Sequence, residues 1–317
     1  VTGSYDLVPP PGVSFATHGS DLGSSLKERV AQLVLSAPWN PYVGVDVRTA
    51  GPALAQGLKI DVEGTRSSIH RGAEAALRAL VATRKPARMF VPANAYPGFG
   101  RTAAATRTPI LRYRDAKDLE SARRDDVVVI TLPGSPVDVD DVGNLFAASV
   151  RCHAPVVMDA TFALLDAEGA AAVTETARSN GADLIVSASK SLGLAGVRLG
   201  LLLGRGQGKE TEANPMELDV FQCAVLEALL ENGGRAIADR AASVARRQRS
   251  LHARLVNALR KSGADVVHDG NAFAVTIRDP APDEGRYGAS GWKGYPRLGL
   301  VRLDASEAMT VRMEATR

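Results

Sequence analysis

Ser187-Ala188-Ser189-Lys190-Ser191-Leu192-Gly193-Leu194-Ala195-Gly196-Val197-Arg198-Leu199-Gly200 is the stretch on which the reading of this chain turns. The apolar run Asp183 to Ser187 leads into it, and a second run, Leu199 to Gly204, leads out. A lysine between a buried strand and a glycine-rich turn can be stripped of water, and desolvation favours the neutral, nucleophilic amine. The hydroxyls of Ser187 and Ser189 and the cation of Arg198 are the groups that would hold a phosphate beside it. For the Ser-Lys pair taken alone, a surface lysine in a loop is the competing reading. The two runs are joined by a short polar segment, which allows the second strand to run antiparallel to the first.

Outward from this stretch the same rhythm recurs. Short apolar runs lie at Arg88 to Val91, Pro109 to Tyr113, Asp126 to Leu132 and Pro155 to Met158, with helical stretches between several of them. Short β-branched runs alternating with helices predict an α/β fold with a mostly parallel sheet buried on both faces. Upstream, Leu22, Leu26, Val30 and Leu33 share one face of a helix over 21–35, and an Ala-rich helix is expected from Ile69 to Thr83, just after Gly64-Thr65-Arg66. Downstream, 216–263 reads as long helical segments broken at Gly233-Gly234. Strand-like pieces follow at Asp265 to His268, Ala272 to Ile277, Leu298 to Leu303 and Thr310 to Glu314, predicting a smaller α+β lobe. The expected division is a large domain over 45–235 and a small lobe made of 1–44 and 236–317.

Composition excludes several classes. The 317 residues are 45% hydrophobic and 23% charged, as in ordinary globular proteins. A formal net charge of +3 without a dense Lys/Arg block argues against nucleic acid. No apolar run reaches membrane-spanning length, and no signal-peptide pattern opens the chain. Cys152 and Cys223 form no CxxC pair and no Cys/His cluster, so neither a disulfide framework nor a metal site is expected, and a reduced, cytoplasmic setting is.

Six further segments carry candidate chemistry. Asp159 ends the apolar run Val156-Val157-Met158, where a buried acid needs a cation, although an Asp capping a helix start would look the same. Leu132-Pro133-Gly134-Ser135-Pro136 is a tight loop, and Tyr96 lies in the Pro/Gly-rich loop Val91 to Phe99, where an aromatic ring could equally plug the surface. Gly64, Thr65 and Arg66 precede the expected Ala-rich helix, and backbone amides at a helix N-terminus attract phosphate. Arg302 and Arg312 lie in strand-like pieces near the end, and either guanidinium suits a carboxylate.

The lysine stretch closely resembles the S-x-S-K-x-x-G-L-x-G-x-R-x-G signature of the class I/II aminotransferases, enzymes of fold type I that depend on pyridoxal 5'-phosphate (PLP). The resemblance implies that Lys190 forms the Schiff base with PLP and that Ser187 and Arg198, with Ser189 beside them, hold its phosphate. Asp159 in Val156 to Phe162 resembles the family's V-x-x-D-E-A-Y aspartate, which pairs with the pyridinium nitrogen and keeps the ring an electron sink. Ser135 stands where the family has an asparagine that donates to the ring oxygen O3′, and Phe162 where it has a tyrosine with the same target. Tyr96 takes the place of the aromatic that stacks on the ring. Gly64, Thr65 and Arg66 take that of the phosphate loop, with Glu63 replacing its usual asparagine. Arg312 in Met309 to Glu314 resembles the arginine that clamps the substrate α-carboxylate, with Arg302 the competitor.

At the front, Leu35-Ser36-Ala37-Pro38-Trp39-Asn40-Pro41 resembles a segment of histidinol-phosphate aminotransferases and makes Asn40 a substrate-contact candidate. His18-Gly19-Ser20-Asp21-Leu22 resembles one of threonine-phosphate decarboxylases. The family implies an amino-acid substrate and a homodimer. Three activities are expected of such a scaffold: transamination, decarboxylation or elimination through the same carbanion, and binding without turnover. The first is favoured, and the presence of Asp159, Ser187, Lys190 and Arg198 together argues against the last.

Overall fold

Val127, Val128, Val129 and Ile130 show how the central sheet is built. Alternate side chains of a strand face opposite sides. Val127 and Val129 join one apolar cluster, Val128 and Ile130 another, and all four are buried. A strand apolar on both faces stays solvent-free only if helices cover both.

The computed structural model describes residues 24–37, 47–61, 63–93, 96, 98–132, 142–204, 218–261, 265–268, 274–278 and 297–299. In chain order the elements are α1 (Ser24–Ser36), α2 (Val47–Gly57), β1 (Arg66–His70), α3 (Ala73–Arg84), β2 (Met89–Pro92), α4 (Gly98–Thr106), β3 (Ile110–Tyr113), β4 (Val127–Thr131), α5 (Val142–Arg151), β5 (Val156–Asp159), α6 (Ala167–Ser179) and β6 (Asp183–Ser187). Then come the short α7 (Ala188–Ser191), β7 (Gly200–Gly204), α8 (Val220–Leu230) and α9 (Arg235–Lys261), and finally β8 (Asp265–His268), β9 (Ala274–Arg278) and β10 (Arg297–Gly299). The break expected at Gly233-Gly234 is a 3₁₀ turn, Glu231–Gly234, between α8 and α9, where both glycines have positive φ.

The strands β1 to β7 form one sheet in the order β1-β7-β6-β5-β4-β2-β3. Strands β2 to β6 pair in parallel, and β7 runs antiparallel to both β1 and β6, as the short link after Lys190 allowed. The helices α3 and α4 cover one face through Leu77, Leu80, Val81, Phe99 and Ala103. The other face is covered from α2, α5, α6, α8 and α9, with Leu54, Leu145, Phe146, Val173, Leu226 and Ile237 in its cluster. The helix α1 joins that same face through Val30 and packs on α8. The strands β8, β9 and β10 form a separate antiparallel sheet in the order β10-β9-β8, beside α9.

One expected element is overturned. The helix predicted from Ile69 begins only at Ala73, and Arg66–His70 is the edge strand β1. Ser68, Ile69 and His70 are buried against β7, and Gly72 at φ +91° blocks a helix from extending back through it. The sheet's need for a partner along β7 outweighs the weak local pattern of Ser67-Ser68-Ile69-His70.

Two connections place a crevice. The link from β2 to β3 passes through α4 on one face, and that from β4 to β5 through α5 on the other. Such a reversal between adjacent parallel strands, here β2 and β4, opens a crevice at their carboxyl ends, where ligands bind in open α/β sheets.

Candidate active site

At the carboxyl edge of the sheet the register lines up the strand ends. Thr131 pairs with Asp159, Asp159 with Ile185, and Ser187 with Gly200. The antiparallel pairing of β1 with β7 sets His70 opposite Gly200 at this same edge. Chain therefore leaves β6 toward Lys190, β5 toward Phe162 and β1 toward Arg71 from one side of the molecule.

Lys190 is half-buried in α7, directly after β6. Its Nζ lies 5.4 Å from the centre of the Phe162 ring, a cation–π distance. The loops after β5 and β6 thus meet face to face. Ser187 and Ser189 are both buried, and Ser189 Oγ has no hydrogen-bond partner among the described residues. A buried hydroxyl without a partner is costly, and a ligand oxygen would satisfy it.

Asp159 closes β5. The backbone N–H of Thr161 donates to its Oδ1 at 3.0 Å. Burial pushes its carboxyl above the usual carboxylate range, and the hydrogen bonds from Thr161 only partly offset that. A carboxylate in this position calls for a cation.

The region around Gly72 differs from the expected layout of a turn at Gly64-Thr65-Arg66 directly before a helix. Gly64, Thr65 and Arg66 form a turn entering β1, and Arg66 pairs with Gly204. They lie at the amino edge of the sheet, four residues of strand from His70, or about 13 Å at a rise of ~3.3 Å per residue. They are not ahead of a helix. The helix N-terminus at the carboxyl edge is that of α3, at Gly72-Ala73. A Cβ on Gly72 would lie 3.2 Å from Nη2 of Arg198, so the missing side chain leaves room where backbone amides and guanidinium converge. The signature's last glycine is explained here too: a Cβ on Gly200 would come within 2.4 Å of Gly72 C and 2.6 Å of Ala73 N. Sequence reading missed Arg71, Gly72 and Ala73. The available signal was a glycine directly before the Ala-rich run, the place of an N-terminal boundary.

Tyr96 stands between α3 and α4. Its hydroxyl donates to Glu74 Oε2 at 3.1 Å, Arg101 Nη2 approaches the same hydroxyl at 3.0 Å, and the Phe99 ring meets it edge-on at 6.1 Å. Arg101 also donates to both oxygens of Glu74, at 3.1 and 2.7 Å. Burial raises the Glu74 carboxyl, but Arg101, Tyr96 and Arg78 outweigh it and hold the group below its usual range. This clamp fixes the orientation of the ring beside the N-terminus of α3. Ser135, Asn40, Arg302 and Arg312 lie outside the described residues, as do His18 to Leu22 and Pro38 to Pro41.

The lysine after β6, the acid ending β5, the aromatic after β2 and a helix N-terminus with an arginine beside it make one constellation, and the sequence profile of aminotransferase class I and II matches residues 59–286. The chain belongs to this family. Class I and II aminotransferases are PLP enzymes. No curated protein matches the chain in sequence. Its fold is that of solved fold type I aminotransferases. One is an aromatic-amino-acid aminotransferase from Burkholderia pseudomallei covalently bound to pyridoxal phosphate, with a TM-score of 0.70, 14% identity, and 92% of this chain and 87% of that one covered. Another is YbdL of Escherichia coli, identified with a methionine aminotransferase function, at a TM-score of 0.70, 16% identity and 98% and 99% coverage. A third is a mitochondrial aspartate aminotransferase from Trypanosoma brucei, at 0.65, 17%, and 89% and 90%.

The residues of this aminotransferase fit PLP. The cofactor needs an amine, an anion cradle and an acid for its ring nitrogen. The edge offers Lys190, the Ser189 hydroxyl, unpartnered among the described residues, with Arg198 and the α3 amides, and the half-buried Asp159. Among the described residues no group of His, Cys, Asp and Glu is arranged to hold a metal, and no helix is long and apolar enough to cross a membrane.

Proposed function

We propose that this enzyme moves an amino group between an amino acid and a 2-oxo acid, with PLP carried on Lys190. The observation behind this reading is the convergence of Lys190, Asp159, Ser187, Ser189 and Arg198 with the N-terminus of α3 at one edge of the sheet. When bound, PLP would supply an electron-withdrawing ring conjugated with the substrate Cα.

Lys190 would hold the cofactor through its amine. The same amine would take the proton from the substrate Cα as general base and, as general acid, deliver it to the cofactor carbon that bears the substrate nitrogen. Asp159 would pair with the ring nitrogen and hold a proton there, because that cation supplies the charge its burial otherwise lacks. Arg198, Ser187, Ser189 and the amides at Gly72-Ala73 hold the phosphate. Tyr96, locked by Glu74 and Arg101, backs the ring. Phe162 lies over Lys190 and limits the water that reaches its amine. Ser135 is proposed near O3′. Asn40 and Arg312, or Arg302 in its place, are proposed to hold the substrate, with the arginine on its α-carboxylate.

The working unit is proposed to be a cytoplasmic homodimer, with a large domain over 45–235 and a small lobe of 1–44 and 236–317. Exposed Leu35 and Phe221, on the mutually packed α1 and α8, support a subunit contact on that side. The unpaired Cys152 and Cys223 suit a reducing compartment.

The test joins two measurements. Amino acids are offered singly with 2-oxoglutarate, and the new 2-oxo acid and any released CO₂ are measured. Borohydride reduction of the loaded enzyme followed by peptide mapping then locates the bound cofactor. Transfer without CO₂, with the label on Lys190, is expected, together with loss of both in Lys190→Ala. Carbon dioxide or an elimination product in place of the 2-oxo acid, or a label on another lysine, overturns the reading.

A further inference from the structure

Gln222 is a polar side chain 1% exposed in α8, a helix whose other buried residues are apolar. All of its amide is engaged. Its Oε1 accepts from the backbone N–H of Asp219 at 3.0 Å, while Asp219 Oδ1 accepts from the backbone N–H of Gln222 at 2.8 Å. This is a reciprocal capping box. The Nε2 group donates to two carbonyls, Val197 O and Arg198 O, each at 2.8 Å. A helix cap requires only the first two bonds. The last two reach back to the lysine stretch and bracket one residue.

That residue, Arg198, has φ +59°. A non-glycine residue in the left-handed region is strained and persists only where its surroundings hold it. Gln222 grips the carbonyls on both sides of its Cα. The guanidinium that results lies beside Gly72, at the N-terminus of α3. The same box reaches the other wall of the cradle, because Asp219 Oδ2 accepts from Arg71 Nη2 at 3.3 Å. The start of α8 thus braces both Arg71-Gly72 and Val197-Arg198.

We infer that Gln222 is a positioning residue that holds Arg198 in the left-handed backbone conformation from which its guanidinium meets the cofactor phosphate. The inference rests on the assignment of the phosphate to Arg198 and the α3 N-terminus. It goes further in naming a residue that touches no ligand and yet sets phosphate affinity. A plain packing role for Gln222 would affect folding but could not distinguish a ligand with a phosphate from one without.

The test uses that distinction. Apoenzyme is titrated with PLP and with pyridoxal, which has the same ring and aldehyde but no phosphate. The variants are Gln222→Met, which keeps the size and loses all polar contacts, and Gln222→Glu, which keeps the capping acceptor and loses both donors. Arg198→Ala and the Gln222→Glu/Arg198→Ala double variant complete the set. Gln222→Glu is expected to weaken PLP on the order of tenfold or more, as loss of an outer hydrogen bond to a ligating group does, with pyridoxal changed by less than about twofold. Adding it to Arg198→Ala should weaken PLP no further. Should Gln222→Met not fold, Gln222→Glu carries the comparison. Equal weakening of both ligands, no weakening of either, or full additivity with Arg198→Ala overturns the inference. A wild-type enzyme that binds PLP no better than pyridoxal would instead overturn the phosphate assignment itself.

Discussion

The Cβ that Gly200 lacks would stand 2.4 Å from backbone, whereas one on Gly204, at the other end of β7, would have its nearest neighbours at 3.8 and 3.9 Å. Gly200→Ala is therefore expected to cost about 1–3 kcal/mol through overpacking, while Gly204→Ala is neutral or slightly stabilising. Urea unfolding of the pair measures the difference, and equal midpoints would mean that α3 can retreat from β7 freely. Asp159 makes a second residue-level prediction. Its carboxyl is raised by burial in the protein without cofactor, so folding takes up protons there. Stability of the apoprotein then falls as pH rises from the ordinary carboxylate range through the raised value. Asp159→Asn should melt higher than wild-type apoprotein at neutral pH and equal to it in acid. The same change should slow turnover on the order of a hundredfold to several thousandfold, or about 3–5 kcal/mol, by removing the proposed charged partner of the ring. A variant that melts lower at neutral pH and turns over normally would make Asp159 a cap and no more. At this scale the sequence was legible where a candidate residue follows an apolar run directly, as Lys190 follows β6 and Asp159 ends β5. It was misleading at Gly64-Thr65-Arg66, because nothing local distinguishes one glycine before a helix from another eight residues on. Gln222 went unseen because half its bonds go to residues 24 and 25 positions away. The pattern Asp219-Val220-Phe221-Gln222 before an apolar run was nonetheless a readable capping box.

The helices after the two central strands are anchored by charge. Asp166 caps α6, its side chain accepting from the Gly169 N–H at 3.2 Å, and it is bonded by Arg249 of α9, whose Nη2 donates to Oδ1 at 3.1 Å. Arg249 holds the Asp166 carboxyl below the usual range. Its contribution is thus present above the ordinary carboxylate pKa and lost as pH falls through the lowered value. Asp166→Asn keeps a capping side chain and loses the ion pair, and Asp166→Ala loses both. The alanine should cost about 0.5–2 kcal/mol more than the asparagine. Wild type and Asp166→Asn should converge in acid, and chemical denaturation at two pH values checks both statements. A gap between them that persists in acid would remove the ion pair as its cause. On the same helix, Arg240 Nε donates to Leu192 O at 2.6 Å, just after Lys190. The long helix α9 therefore reaches both loops of the site, by Arg249 behind Asp159 and by Arg240 behind Lys190. Elements with an apolar run of three or more residues, such as β4 and β6, were plain from sequence. The strand β1 was not, since Arg66-Ser67-Ser68-Ile69-His70 has one strongly apolar residue and borrows its burial from β7.

Over the whole molecule, the strands come in sequence order along neither edge of the sheet. The chain lays β2 and β3 outward, steps back across β2 to β4, and continues through β5 and β6 before β7 reverses. The alternation of strands and helices predicted this class of sheet but not its order, which depends on handed crossovers between distant segments. The position of β1 has a consequence in time. Among the described strands it pairs only with β7, so the first strand of this sheet to be made is paired only after the sheet's last one exists. Contacts that close long loops form late. In a refolding experiment with pulsed hydrogen exchange, the amides of Ser68 to His70 should gain protection together with those of β7 and after those of β4 and β5. Early protection of β1 would contradict this. During synthesis, at roughly 5–20 residues per second, about 7–26 seconds separate the emergence of His70 from that of Gly200. Until then Gly72 has no wall to lie against. With the phosphate seated as proposed, a nascent or truncated chain ending before β7 would carry Lys190 and have nowhere to seat that group, so cofactor capture would become a check that the ribosome has delivered the entire sheet.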